Sequence, residues 1–273
     1  MPRFEHVVLG GTFDRLHLGH EALLATAFRS GRSVAIGVTT DAFLARHPKP
    51  GGARIRSYAS RRRALDRWLT SRYSKSRWTL VPLDDLFGRS VEDGVDALVV
   101  SAETLAGGRA VNAERRRRGR RSVPLLSVPL VVADDLRPIS SRRIRSREID
   151  RWGRRRSPIR VALAVEDPDD GALAVAGVRA AFPRALVVRV PFPSGSSSAA
   201  RRRTAELTAA RRGELGIVVT RMTDGTRNVV VRGGAIRLVA PAVPRTPAVA
   251  FSRALRRLLS PSSAAKRFSL HRR

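Results

Sequence analysis

Gly10-Gly11-Thr12-Phe13-Asp14-Arg15-Leu16-His17-Leu18-Gly19-His20 is the stretch that decides the fold of this chain. Residues 4–11 read as a buried strand that ends in glycines, and residues 19–30 place apolar side chains at helical spacing. A strand, a glycine turn and a helix in this order are typical of an open parallel sheet, in which ligands bind outside the carboxyl ends of the strands. The turn is therefore the candidate site.

Two glycines, a threonine and two imidazoles give this turn its chemistry. Gly10 and Gly11 let the backbone turn sharply and approach a phosphate closely. Thr12 offers a hydroxyl and an amide to phosphate oxygens. His17 and His20 are three residues apart, so both can face one ligand from a single helical turn, where the helix start adds unpaired amides. A histidine pair could also hold a metal, but no third ligand stands at a suggestive spacing.

Strands and helices alternate along the first half of the chain, which indicates a Rossmann-like parallel α/β sheet. A linker at 151–157 then precedes a second pattern that predicts a smaller α/β or α+β domain, with a mobile Ser/Gly-rich loop at 193–200. We expect three parts: a first domain at 1–155, a second at 156–260 and a disordered basic tail at 261–273. The predicted strands are 34–38, 79–83, 96–100, 125–132, 159–165, 185–190, 217–220, 229–232 and 236–239, and the other predicted helices are 61–69, 111–118, 172–182, 204–210 and 248–259.

Arginine dominates the composition. The chain of 273 residues has a formal net charge of +30, and only Lys49, Lys75 and Lys266 among its 53 basic residues are lysines. Such a charge would attract nucleic acid, an anionic membrane or phosphorylated metabolites, but its even spread favours a compositional origin. No apolar run approaches the ~20 residues of a membrane span, the N-terminus is too short and mixed for a signal peptide, and cysteine is absent. We expect a cytoplasmic protein without a membrane partner. The oligomeric state is left open.

The turn resembles the signature of the His-x-Gly-His nucleotidylyltransferase superfamily. Within that superfamily, residues 5–152 resemble the archaeal and eukaryotic type of phosphopantetheine adenylyltransferase. The resemblance departs at Ala102, where Pro is expected, and at Arg142, where Thr is usual. It continues in order through Ile36-Gly37-Val38-Thr39-Thr40-Asp41, Tyr58-Ala59-Ser60-Arg61, Val99-Val100-Ser101-Ala102-Glu103-Thr104 with Asn112, Arg115 and Gly119, and Pro138-Ile139-Ser140-Ser141-Arg142-Arg143-Ile144-Arg145.

The resemblance implies that AMP passes from ATP to 4′-phosphopantetheine, giving dephospho-coenzyme A and pyrophosphate. The acceptor phosphate attacks the α-phosphorus directly. His20 is implied to stabilise the transition state, His17 to position the nucleotide phosphates and Thr12 to hold the acceptor phosphate. Mg²⁺ is expected to arrive with the triphosphate, since no carboxylate cage is visible in the sequence. The implied ATP-binding set is Gly11, Thr12, Phe13, His17, His20, Glu103, Ser140, Ser141, Arg143 and Arg145.

Some of these residues admit a second interpretation. Lys49, on the loop after the second strand, either neutralises a substrate phosphate or is a solvated loop charge. Ser140 and Ser141, with Arg143 or Arg145 assisting, either bind the β- and γ-phosphates or form an ordinary helix cap. Glu103 is implied to accept hydrogen bonds from ribose hydroxyls.

The second domain resembles the inosine/xanthosine triphosphatase family of house-cleaning phosphatases. The resemblance rests on the strand at 161–165, the helix that ends at Phe182, and the strand and Ser-Gly loop that follow. That family opens with a Ser-x-Asn-x-x-Lys phosphate loop, whereas this chain has Glu166-Asp167-Pro168-Asp169-Asp170. This acidic segment predicts a solvated charge run more than a metal site. We expect a degenerate domain that has lost catalysis and serves packing, assembly or regulation.

Two other functions stay open. A cytidylyltransferase or an FAD synthetase shares the turn, but typically carries an Arg-x-x-Gly-Ile-Ser-Thr ending that differs from residues 138–145. A basic nucleic-acid-binding protein could also be built on an inactive enzyme fold. The arginines at 115–118, 120 and 121 would suit it, but no aromatic side chains interleave with them, and a solvated helix face is the favoured interpretation.

Overall fold

The chain forms two compact units, seen in a computed structural model that describes residues 2–49, 54–194, 198–222, 224, 226–233, 236–243, 250, 253–254 and 257. The first unit is Met1–Val131 with Ile139–Arg147, and the second is Val132–Pro138 with Glu148–Arg273. Val132–Pro138 joins the second unit because Val132 and Leu136 are buried in its core. From the sequence we expect the domain boundary near residue 155. The predicted tail at 261–273, and all but four residues of the predicted closing helix, lie outside the described residues.

A parallel sheet of five strands in the order β3-β2-β1-β4-β5 forms the first unit and confirms the predicted Rossmann-like fold. Its strands are β1 (Phe4–Gly11), β2 (Gly31–Thr39), β3 (Trp78–Leu83), β4 (Ala97–Ser101) and β5 (Leu125–Val128). Its helices are α1 (Leu18–Ser30), α2 (Asp41–Arg46), α3 (Tyr58–Thr70), α4 (Leu105–Arg117) and α5 (Ser141–Arg145). β5 ends before Pro129 rather than at residue 132, because proline has no N–H to donate to a neighbouring strand.

Side chains of β1 alternate between the two faces of this sheet. Leu9 packs with Leu24 of α1 and Leu65 of α3, whereas Val8 packs with Val111 of α4. Helices therefore cover both faces. The direction of strand succession reverses between β1 and β4, and in open α/β sheets this reversal is where ligands bind. The turn after β1 lies at that point.

A mixed sheet in the order β10-β9-β8-β6-β7 forms the second unit. β6, β7 and β8 are parallel, and β8, β9 and β10 form an antiparallel meander. Ala174 packs on one face of the sheet and Ala205 on the other. The predicted smaller second α/β domain is thus confirmed. Its elements are β6 (Arg160–Val165), α6 (Gly171–Ala181), β7 (Leu186–Arg189), α7 (Ser198–Arg212), β8 (Leu215–Arg221), β9 (Arg227–Gly233) and β10 (Ile236–Val243).

α7 begins earlier than the sequence suggests. The predicted mobile loop at 193–200 is wrong for its last three residues, which form the first turn of α7. Alanine and arginine, which follow at 199–203, are strong helix formers, and they extend the helix against the serine signal. Among the described residues, no helix is long and apolar enough to cross a membrane.

Candidate active site

The turn between β1 and α1 brings the two predicted imidazoles together. His17 is the N-cap of α1, and its Nδ1 accepts a hydrogen bond from the Gly19 amide at 3.1 Å. The ring centroids of His17 and His20 are 3.9 Å apart. Because Nδ1 of His17 is an acceptor, the neutral ring carries its proton on Nε2, which remains a donor for a ligand. A Cβ at Gly19 would stand 3.0 Å from the His17 ring, so glycine keeps that ring in place.

Burial holds both imidazoles in the neutral form. Burial lowers the pKa of His17 to about 2, and the neighbouring His20 adds to the effect. Burial also lowers the pKa of His20 to about 4, although the Asp14 carboxylate acts in the opposite direction. A hydrogen bond with the Arg15 backbone also opposes the lowering of the His20 pKa. The pair therefore offers polar atoms to an anion without carrying charge of its own.

Lys49 lies beside this turn. Its ammonium group donates to the Thr12 hydroxyl at 2.7 Å, which brings both predicted substrate-binding residues into contact. Although much of the Lys49 side chain is exposed, desolvation of its ammonium lowers its pKa, and the guanidinium groups of Arg61 and Arg145 lower it further. Crowded cations of this kind favour a bound anion.

Asp14, to which the sequence assigns no role, is fully buried beneath the turn. Its carboxylate accepts from the amide and Nε of Arg56 at 3.1 and 3.2 Å and from Nη1 of Arg145 at 2.9 Å. Burial raises the pKa of Asp14, but these hydrogen bonds outweigh burial and hold the pKa below its ordinary value. Asp14 thus anchors a guanidinium next to the site.

Arg61 is the second residue that sequence reasoning missed. This fully buried side chain donates to the carbonyl oxygens of Thr12, Thr39 and Arg56 at 2.9, 2.7 and 2.8 Å. It also donates to Oδ1 of Asp41 at 2.8 Å. Arg61 therefore ties the carboxyl ends of β1 and β2 together and fixes the backbone of Thr12.

A sequence signal for Arg61 does exist. Arg61, Leu65 and Leu69 are spaced by four residues along α3, and all three are buried. An arginine on the apolar stripe of a helix is unusual, because buried guanidinium groups need partners. Asp14 gives no comparable signal, since its partner Arg145 is 131 positions away.

Three other predicted residues have different surroundings. Phe13 is fully buried with a φ of 49°, so its ring is not available to a ligand. Gly11 accommodates that ring, because a Cβ at this position would lie 3.0 Å from it. Glu103 is exposed in the turn after β4, at the same edge of the sheet as the candidate site.

The last four predicted residues lie on or beside α5. The Ser140 hydroxyl caps this helix by accepting from the Arg143 amide at 3.4 Å, and Ser141 follows it. Arg143 is buried, and Arg145 binds Asp14. Since α5 has only five residues, its dipole is weak, and hydroxyl, amide and guanidinium groups are what it can offer to a phosphate.

Packing within the first unit accounts for the arginine run of α4. Arg115 is buried and donates to the carbonyl oxygens of Ser90, Glu92 and Arg121. Glu114 accepts from two further members of the run, Arg117 and Arg118. The run therefore has a structural role that does not require nucleic acid.

Arginines also engage the acidic segment after β6. Asp170 is buried and forms a two-bond ion pair with the buried Arg227, with Nη2 to Oδ1 at 3.1 Å. Asp167 lies 3.5 Å from Arg221 and 3.8 Å from Arg227. The prediction of a solvated charge run is therefore wrong for Asp170, because its partner draws it into the interior. Over the described residues, no group of three or more potential metal ligands is present.

The neutral imidazoles make the stability of the first unit sensitive to acid. An unfolded histidine binds a proton near its ordinary pKa of 6.5, whereas folded His20 does so only near 4. Stability present above pH 6.5 is therefore lost as the pH falls through this range, at about 1.4 kcal/mol per pH unit for one imidazole. We expect His20→Asn to flatten the plot of unfolding free energy against pH by this slope between pH 6.5 and 4.

Urea unfolding, followed by the fluorescence of Trp68 and Trp78 in the first unit, measures this slope. His6→Asn is the matched control, because His6 belongs to the same unit but is exposed to solvent. Identical slopes for the wild type and His20→Asn would mean that His20 is not held neutral by the fold.

The sheet, its reversal point and the turn define the first unit as a nucleotidylyltransferase-type α/β domain. The family model described as cytidylyltransferase-like matches residues 8–147. Phosphopantetheine adenylyltransferase of Methanopyrus kandleri is 42% identical over 151 residues, which are 55% of this chain and 94% of that protein. The enzyme of the same name from Methanothermobacter thermautotrophicus is 43% identical over 162 residues, which are 59% of this chain and 95% of that protein.

A third relative carries a second activity in its name. The bifunctional phosphopantetheine adenylyltransferase/NTP phosphatase of Thermoplasma volcanium is 37% identical over 161 residues, which are 59% of this chain but 48% of that protein. A fused, two-part chain therefore has a precedent among its relatives. The chain belongs to the phosphopantetheine adenylyltransferases of the cytidylyltransferase-like family.

Proposed function

We propose that the first unit transfers AMP from ATP to 4′-phosphopantetheine in the cytoplasm. An oxygen of the acceptor phosphate attacks the α-phosphorus of ATP, the bond from that phosphorus to the β-phosphate oxygen breaks, and pyrophosphate leaves as dephospho-coenzyme A forms. This reaction needs alignment and charge neutralisation rather than a covalent intermediate. The proposal rests above all on the contact of Lys49 with Thr12, beside a pair of neutral imidazoles at the reversal point of the sheet.

Each group at the turn has a role in this proposal. Lys49 and Thr12 hold the acceptor phosphate. His17 donates a hydrogen bond from Nε2 to the nucleotide phosphates. His20 donates a hydrogen bond to the α-phosphate as negative charge develops there. Neutral imidazoles suit these roles because they bind the anions of both substrates without repelling each other.

The residues around the turn complete the nucleotide site in our proposal. Ser140 and Ser141 bind the β- and γ-phosphates, and Arg143 and Arg145 supply charge. Glu103, at the end of β4, accepts from the ribose hydroxyls. The position of these five residues in the chain supports the assignments. All five come after the carboxyl end of β4 or β5, on the side of the sheet where ligands bind.

Mg²⁺ enters this proposal as a companion of the triphosphate. The carboxylate of Asp14 is already engaged by Arg56 and Arg145, and the described residues contain no cluster of metal ligands. Mg²⁺ prefers oxygen ligands and retains several waters, so the phosphate oxygens themselves would hold it.

An apolar cavity of about 210 Å³ supports the choice of acceptor. Gly10, Gly37, Leu83 and Phe87 line it, and Gly10 belongs to the same turn as Thr12. The lining also includes Arg89, Ser90 and Thr104, so it suits a long acceptor arm in which alkyl segments alternate with amides.

A substrate panel tests the proposed function. We expect ATP with 4′-phosphopantetheine to release pyrophosphate at least about 100-fold faster than any other pair. A wrong substrate leaves polar groups of the site without a hydrogen-bond partner, and a few such losses provide discrimination of this size. The other pairs combine ATP or CTP with FMN, glycerol 3-phosphate or 4′-phosphopantetheine. Preferred turnover of CTP with glycerol 3-phosphate, or of ATP with FMN, would instead identify one of the two alternative transferases. Salt-dependent retention on DNA without turnover of any pair would favour the nucleic-acid-binding alternative.

A further inference from the structure

The second unit contains a basic cavity between α7 and the strands β8, β9 and β10. Its volume is about 520 Å³, within the range of about 300 to 1,000 Å³ that is usual for small-ligand sites. Four arginines and one glutamate contribute to its wall, which gives the lining a formal net charge of +3. The charged residues are Arg202, Arg203, Arg232, Arg237 and Glu206.

Most of this positive charge is uncompensated. Glu206 accepts two hydrogen bonds from Arg237, at 2.7 and 2.8 Å, and is thereby occupied. The side chains of Arg203 and Arg232 make no ion pair or hydrogen bond with any residue that the structure describes. Nε of Arg202 is buried and has no partner in the same part of the chain. Nη2 of Arg202 donates to the carbonyl oxygen of Arg221 at 3.3 Å, but none of these three arginines has an acidic partner among the described residues.

The floor of the cavity also carries polar groups. Oδ1 of Asn228 is buried without a hydrogen-bond partner among the described residues, and the Thr220 hydroxyl lies in the same lining. Because Oδ1 of Asn228 is an acceptor, only a hydrogen-bond donor of a ligand, and not a phosphate oxygen, can satisfy it. The cavity thus combines cations at its wall with polar atoms at its floor.

We propose that this cavity binds the di- or triphosphate group of a ligand without a metal ion. Guanidinium groups match phosphate oxygens with paired hydrogen bonds, and three of them suit several negative charges better than a single carboxylate. Because Arg237 occupies the carboxylate of Glu206, the lining residues that the structure describes leave no acidic group to hold Mg²⁺. The phosphate group can belong to a nucleotide or to inorganic pyrophosphate or polyphosphate.

The same lining indicates binding rather than hydrolysis. The described residues that line the cavity include no imidazole, no thiol and no unpaired carboxylate that could activate a water molecule. The described residues of its lining all belong to the second unit, whereas the residues of the proposed transferase site belong to the first. Occupancy of this cavity can therefore be measured independently of turnover.

Hydrogen exchange with mass spectrometry on the full chain tests this proposal. We expect tripolyphosphate and pyrophosphate, in the presence of EDTA, to slow amide exchange in residues 198–212 and 227–233, because a ligand that ties α7 to β9 suppresses their local opening. ATP in EDTA tells the two sources apart. Protection by both ATP and tripolyphosphate identifies the phosphate group itself as the ligand, and stronger protection by ATP identifies a nucleotide.

A pair of matched double variants provides the control. Arg203→Gln/Arg232→Gln removes two charge-assisted donors. It should therefore raise the ligand concentration needed for half-maximal protection at least about tenfold. Arg62→Gln/Arg63→Gln removes the same charge from exposed positions on α3 and should leave the protection unchanged. Equal effects of the two double variants would overturn the proposal, as would the absence of protection with every probe, a requirement for Mg²⁺, or release of orthophosphate from tripolyphosphate.

Discussion

Replacement of His20 by alanine is expected to lower kcat for AMP transfer by about 10² to 10³-fold, the usual cost of removing one donor that stabilises charge in a transition state. His20 lies next to His17 at the reversal point of the sheet. Because its proposed contact strengthens as charge develops on the α-phosphate, KM for ATP should change much less than kcat. Steady-state rates of pyrophosphate release measure both constants.

Two further variants make this result specific. His6→Ala removes an imidazole that is exposed near the start of β1 and bonded to Ser33, so it should leave kcat within twofold of the wild type, as is typical of surface substitutions. His20→Gln keeps an N–H donor of similar reach and should recover part of the lost rate. If His20→Ala retains its circular-dichroism spectrum and its kcat, the transition state is stabilised elsewhere and the proposed role of His20 is wrong.

The sequence alone predicts the local structure around the candidate site well, because its main signals are local. The strand β1, the turn and the helix α1 are contiguous, and their period and glycines specify the local geometry. The contact of Lys49 with Thr12 also follows from topology, since both lie beyond the carboxyl ends of adjacent strands. For Lys49, the sequence leaves a substrate role and a solvated charge equally open, and only the fold shows that its ammonium reaches the turn.

The supporting contacts are less visible in the sequence because they join distant segments. Asp14 and Arg145 are neighbours only after the whole sheet has assembled, and no periodicity links them. α2 and α5 have six and five residues, too few for a helical period to stand out. In the second unit, the burial of Asp170 depends on Arg227, which belongs to a strand 57 residues later. Long-range ion pairs of this kind decide which charged residues are solvated.

Arg61→Met is expected to lower the unfolding free energy of the first unit by about 3 kcal/mol, which for a unit of this size lowers Tm by about 6 to 12 °C. Methionine fills a similar volume but donates no hydrogen bond. The substitution removes hydrogen bonds of 2.7 to 2.9 Å to three acceptors. These are the carbonyl oxygens of Thr12 and Thr39 and the carboxylate of Asp41. Urea unfolding, followed by tryptophan fluorescence, measures this loss.

The same substitution should reduce kcat/KM by at least about 100-fold at a temperature where the variant is folded, since misplacement of a substrate-holding group by about 1 Å has an effect of that size. Thr12 is the group at risk, because its carbonyl oxygen is held by Arg61 and its hydroxyl by Lys49. Arg62→Met is the matched control: Arg62 is the next residue of α3 but is exposed, so stability should change by less than about 0.5 kcal/mol. A folded Arg61→Met variant with wild-type kcat/KM would show that Arg61 supports the sheet without positioning Thr12.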